Sequence, residues 1–187
     1  YFLKNVDDKN PMNLNGRTPL HDAAFYGHLD IYKFIADNLE NKNPADNDGK
    51  TALHLAAEEG KIKIVEYIIG NVEDKTPGHN YGSSGTFNDW TPLHDAAKYG
   101  HLEVYKCIAE HLDDKNPALN DGLTPLHLAV EEGKFEIVKY LIDNIQDKNP
   151  ADNNGWTPFY EAANTGNFDI FKLISENIEN KDPGIIY

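Results

Sequence analysis

A single cysteine, Cys107, among 187 residues excludes an internal disulfide framework. It shares a helical face with Val104 and Ile108, so we read it as a small buried apolar residue, not a reactive thiol. No apolar run approaches the ~20 residues that span a bilayer, and membrane insertion is not expected. Neither a secretory signal nor an Asn-X-Ser/Thr acceptor occurs, and with the lone cysteine this leads us to expect an intracellular, cytoplasmic setting. Positive charge is scarce: 17 Lys and Arg stand against 31 Asp and Glu, a formal net charge of −14, which disfavours a nucleic-acid partner. Acid in excess also keeps a protein soluble, so where it sits matters more than its total. No glycine-rich phosphate loop is present. No histidine has the spacing with cysteine or carboxylate that zinc sites show. His21-Asp22 and His94-Asp95 look like halves of a dyad, but neighbouring residues on a helix point in different directions, and no activated nucleophile accompanies them. No catalysis, metal or cofactor is expected.

What the chain does have is a recurring tetrad. It reads Thr18-Pro19-Leu20-His21, Thr51-Ala52-Leu53-His54, Thr91-Pro92-Leu93-His94, Thr124-Pro125-Leu126-His127 and Thr157-Pro158-Phe159-Tyr160, with successive threonines 33, 40, 33 and 33 residues apart. Residues 119–151 show the unit most clearly. A turn at Asn120-Asp121-Gly122 leads to Thr124, a helix-capping residue, and then to Pro125 at the first helical position. Leu126, Ala129 and Val130 give that short helix an apolar face, and Gly133 supplies the left-handed residue that ends it. Phe135, Ile137, Val138, Leu141 and Ile142 then recur at helical spacing. Helices of about two turns are marginal alone, so stability must come from stacking unit on unit.

The tetrad at this step resembles the signature of ankyrin repeats. The resemblance implies an all-α solenoid of stacked helix pairs with projecting β-hairpin loops, the first helix of each pair lining a concave groove. It also implies a structural role for His21, His54, His94 and His127, whose rings would bond backbone near the helix start and the adjoining hairpin. We read one domain over 1–187: a partial repeat at 1–12 and full repeats at 13–45, 46–85, 86–118, 119–151 and 152–184. Residues 1–11 match the tail of a unit and residues 180–184 begin another linker, so we expect a monomeric piece of a longer array.

Such arrays are binding scaffolds, and the resemblance directs attention to three first-helix positions spaced i, i+3, i+4 on the groove face. Unit by unit they hold Asp22, Phe25 and Tyr26; Leu55, Glu58 and Glu59; Asp95, Lys98 and Tyr99; Leu128, Glu131 and Glu132; Glu161, Asn164 and Thr165. Seven acids face one lysine, and aromatic and acidic units alternate. We expect a protein or peptide ligand of basic and apolar character, anchored on Phe25, Tyr26 and Tyr99 and steered by the glutamates. Trp90 and Trp156 sit at equivalent hairpin positions; each is a candidate exposed contact, with packing on a neighbouring hairpin as the alternative. Seven extra residues enlarge the hairpin between Pro77 and Trp90, where Tyr81 and Phe87 are candidate contacts. Asp89 stands where other units have glycine. Two other roles fit the resemblance: a structural or elastic spacer, or a substrate for an asparaginyl hydroxylase at Asn43, Asn116 and Asn149.

Overall fold

The computed structural model describes residues 9–81 and 87–178, with backbone alone at 80, 81, 87 and 88. Most of the partial repeat at 1–12, the tip of the insertion and the closing linker lie outside the described residues. Among the described residues five helix pairs follow one another: α1 (Pro19–Tyr26) with α2 (Leu29–Ala36), α3 (Ala52–Glu58) with α4 (Ile62–Ile69), α5 (Pro92–Tyr99) with α6 (Leu102–Ala109), α7 (Pro125–Glu131) with α8 (Phe135–Asn144), and α9 (Pro158–Thr165) with α10 (Phe168–Asn177). The first helices pack in the order α1, α3, α5, α7, α9, and the second helices in the order α2, α4, α6, α8, α10. The result is an all-α stack in which each unit touches chiefly its neighbours.

Every first helix starts from an extended threonine followed, in all but one unit, by proline. In the first four units the histidine Nδ1 accepts the threonine N–H at 3.1 to 3.2 Å and lies within 3.0 Å of its hydroxyl. Because Nδ1 is the acceptor, the ring proton sits on Nε2. That proton reaches the next unit: His21 donates to the Lys50 carbonyl at 3.2 Å, His54 to Trp90 at 3.1 Å and His127 to Trp156 at 3.3 Å. The structural role implied for these residues is what the geometry shows. In the fifth unit Tyr160 has no ring nitrogen to take either bond, and the threonine hydroxyl accepts the Tyr160 N–H at 3.3 Å.

Two pairs of the turns before the threonines are linked in a similar way. Asn47 donates its N–H to the Asn15 carbonyl and its side-chain amide to Leu14, and Asn153 does the same to Asp121 and Asn120. Only the enlarged hairpin forms a two-stranded sheet among the described residues: β1 (His79–Tyr81) runs antiparallel to β2 (Phe87–Trp90), with His79 opposite Trp90 and Tyr81 opposite Phe87. Asp89 adopts φ 72°, the left-handed value that glycine takes in the other turns, and aspartate tolerates it better than most residues.

Small residues let the layers close. Ala23, Ala24, Ala56, Ala57, Ala96, Ala97 and Ala129 are all buried between helices. The core itself alternates between units: Tyr32 and Tyr105 are buried in the first and third, and Val65 and Val138 take the same place in the second and fourth. The two tyrosine hydroxyls donate to the carbonyls of Lys42 and Lys115, each ten residues on. One position isolates the effect of stacking. Ile64 on α4 is 1% exposed, whereas Ile31, at the same place on α2 with no described unit in front of it, is 53% exposed. Ile64→Ala should therefore cost about 2–5 kcal/mol, and Ile31→Ala less than about 1 kcal/mol. Urea unfolding of both variants checks this, and equal losses would show that burial does not come from the neighbouring unit.

Candidate functional site

The groove-facing row is held by α1, α3, α5, α7 and α9, whose order in the stack brings equivalent positions side by side. Tyr26 is 64% exposed and Tyr99 39%; Asp22, Glu131, Glu132 and Asn164 are also exposed, and Phe25, Glu58, Glu59 and Lys98 are half-buried. Phe25 meets Tyr26 edge to face, with ring centres 5.0 Å apart. The Arg17 guanidinium lies 5.7 Å over the Phe25 ring and 3.3 Å from the Asp22 carboxylate. The backbones of Tyr81 and Phe87 pair in the sheet, and their side chains lie outside the described residues.

Two candidates require correction. Trp90 is 2% exposed and Asp95 is fully buried, so neither offers a free contact surface. The reason is local: the Trp90 indole N–H donates to Asp95 Oδ1 at 2.9 Å, and the ring packs on Leu119, Leu123 and Leu128 of the following unit. Trp156, at the same place in the fifth unit, has no such cover among the described residues and is 45% exposed.

Nor do the seven acids form a uniform negative row. Hairpin cations engage two of them: Arg17 pairs with Asp22, and Lys50 pairs with Glu58. A third, Asp95, is buried beside them. Glu59, Glu131, Glu132 and Glu161 form no ion pair among the described residues. Three of these four belong to the fourth and fifth units, so unpaired acid gathers towards that end of the row.

A buried polar cluster escapes sequence reading altogether. Donor atoms of His54, His79 and Asp95 lie within 4.8 Å of one another, all in buried residues. The three come from α3, β1 and α5, and the inserted strand delivers His79, so no spacing in the chain could reveal them. Their chemistry is that of a metal-ligand set. However, both ring nitrogens of His54 are already committed, to Thr51 and to the Trp90 carbonyl, which leaves two ligands. His54 and His79 meet edge to face at 4.4 Å. His94 Nε2 reaches no acceptor at hydrogen-bonding geometry. Burial lowers the His54 pKa well below its ordinary value and takes His94 down to about 3.

Other residues singled out by sequence have structural partners. The side-chain oxygens of Asn43, Asn116 and Asn149 accept the N–H of Leu53, Leu126 and Phe159, each at 2.9 Å. Cys107 is half-buried, and burial raises its thiol pKa. A cavity of about 810 Å³ is an open trough between the linkers at Asp113–Asn116 and Asn144–Asp147, away from the groove. A smaller cavity of about 290 Å³ does open onto the row, between the fourth and fifth units. No described helix is long and apolar enough to cross a membrane.

A family model described as ankyrin repeats, of three copies, matches residues 1–79 and 93–184, and the chain belongs to the ankyrin-repeat family. Ankyrin repeats are protein–protein interaction modules and are generally non-catalytic. The segment between the two matched stretches carries most of the enlarged hairpin. No curated protein matches the chain.

Asp95 gives a test of the buried cluster. Burial raises its pKa to about 7, with Glu58 adding to the rise and Lys50, the Trp90 hydrogen bond and Lys98 opposing it. A carboxyl with a raised pKa favours the fold while protonated, and that contribution is lost as pH climbs from about 4 through about 7. Asp95→Asn keeps an oxygen for Trp90 and removes the titration. Its stability relative to wild type should rise between pH 4 and pH 8 by on the order of 3–4 kcal/mol. Guanidinium unfolding across that range measures it; a flat difference would contradict the buried-carboxyl reading.

Proposed function

We propose that the groove row binds a partner segment carrying both apolar and basic side chains, with the apolar part against Phe25, Tyr26 and Tyr99 and the basic part towards the fourth and fifth units. The observation that carries this reading is the uneven use of the acids. Where hairpin cations are available the carboxylates are neutralised from within, and the four without internal partners are the ones that attract a positive ligand. Exposed aromatics supply contact area at low entropic cost and are where truncation usually costs most. Exposed carboxylates mainly set association rate and salt dependence. Trp156 and Asn164 border the acidic end and belong to the same surface, whereas Trp90 and Asp95 act through the shape of the third unit. The chain itself performs no chemistry on its partner.

Selection from a displayed random-peptide library against the whole chain tests the proposal. Selected peptides should combine Lys or Arg with aromatic or aliphatic residues, and raising the salt should weaken them. Tyr26→Ala with Tyr99→Ala should reduce affinity about tenfold or more, a loss of roughly 1.4 kcal/mol. Glu131→Gln with Glu132→Gln should mainly flatten the salt dependence. Peptides without positive charge, or binding indifferent to both double variants, would refute the reading.

A further inference from the structure

Two junctions in the stack use the same five positions in different ways. Between the second and third units these positions hold Lys50, Glu58, Trp90, Asp95 and Lys98. Lys50 pairs with Glu58, the Lys98 ammonium lies 5.8 Å over the Trp90 ring, and both lysines act on the Asp95 carboxyl. Two acids, one indole and two cations thus form a closed group in which Lys50 pairs with Glu58. Between the fourth and fifth units the same positions hold Leu123, Glu131, Trp156, Glu161 and Asn164. The acids and the indole remain, and both cations are gone. All five line the cavity of about 290 Å³, together with His127 and Asp152.

We infer that this cavity is a binding site for a single lysine side chain supplied by the partner, its ammonium taking the place between Glu131 and Glu161 that the chain's own lysines fill in the sister junction. The inference rests on the groove reading above and names one anchor within it. Carboxylates alone would not make a site; here the sister junction shows the same positions engaging an alkylammonium. The other polar groups in the cavity are already occupied. Asp152 Oδ1 accepts the Trp156 N–H at 2.8 Å, and His127 Nε2 donates to the Trp156 carbonyl. Asn164 reaches Glu161 only at 3.4 Å, a long neutral contact where Lys98 would bring a charge. Among the described residues no ion pair satisfies either glutamate. Leu123 and the Trp156 ring provide apolar wall for a methylene chain, as long basic side chains require. The volume lies just below the ~300–1,000 Å³ of small-molecule sites, a size for one side chain.

The two tryptophans give separate indole N–H signals, one from buried Trp90 and one from Trp156 at the cavity. The whole chain, labelled with ¹⁵N, is titrated in low salt with Nα-acetyl-lysine methylamide and with the neutral isostere Nα-acetyl-norleucine methylamide. The lysine probe should shift the Trp156 signal saturably and leave Trp90 unmoved, and the norleucine probe should shift neither. Glu131→Gln with Glu161→Gln, a conservative change, should weaken the response at least tenfold. Leu123→Lys should abolish it by installing the chain's own ammonium. A response equal for norleucine, unchanged in these variants, or shared equally by Trp90 would overturn the inference, as would no response to lysine. If the lysine probe fails while basic peptides still bind in a Tyr26- and Tyr99-dependent way, the cavity assignment falls and the groove reading stands. If no basic peptide binds anywhere, both fall.

Discussion

The stack depends on a single imidazole used twice. In the first, second and fourth tetrads, Nδ1 accepts the threonine N–H of its own unit, which puts the proton on Nε2, and Nε2 then donates across the junction to the next hairpin. One ring thereby fixes the helix start and ties one unit to its neighbour. Buried polar atoms left unpaired are costly, so the arrangement specifies register as well as adding stability. At the enlarged hairpin the link is kept, His54 Nε2 donating to the Trp90 carbonyl. The same junction gathers His54, His79 and Asp95.

Because the tetrad and the alanine layers carry the stack, the groove positions are free to differ. The same place on the first helix holds Phe25, Glu58, Lys98, Glu131 or Asn164 without disturbing the packing behind it. Variation there is not arbitrary. Tyrosines in the core at positions 32 and 105 fall in the same units as the His-Asp-Ala-Ala helices, so two kinds of unit alternate from core to surface. Each junction consequently joins unlike faces, and the two that join a second-type unit to the next first-type unit are the ones compared above. One is closed by lysines and the other is open.

The aromatic and acidic ends of the row follow from where hairpin cations are available. Arg17 and Lys50 stand at the hairpin position of the first two units, and leucine or tryptophan stands there in the last three. Cations placed at one end pair with the acids nearby and leave those at the other end without an ion pair among the described residues. In an interaction module, polarity of this kind orients an extended ligand as well as attracting it.

Much of this was legible in the chain. The period, the capping threonine, the proline at the first helical position and the apolar spacing of each second helix are local properties, and each names its element without help from distant residues. Asp89 too was readable, because a turn that recurs with glycine demands a residue that accepts positive φ. Burial was not readable. Trp90 and Trp156 occupy one position in the repeat, yet one is sealed by Leu119, Leu123 and Leu128 and the other stands open, since exposure depends on what the next unit places against it. Charge state was hidden for the same reason: seven acids count alike in the chain, but Arg17 and Lys50 pair with two of them and burial takes a third. Sequence alone determined the unit and its repetition, because those rest on contacts within a few residues. The tertiary structure alone decided which groups meet across junctions, because those contacts join residues about thirty to forty positions apart.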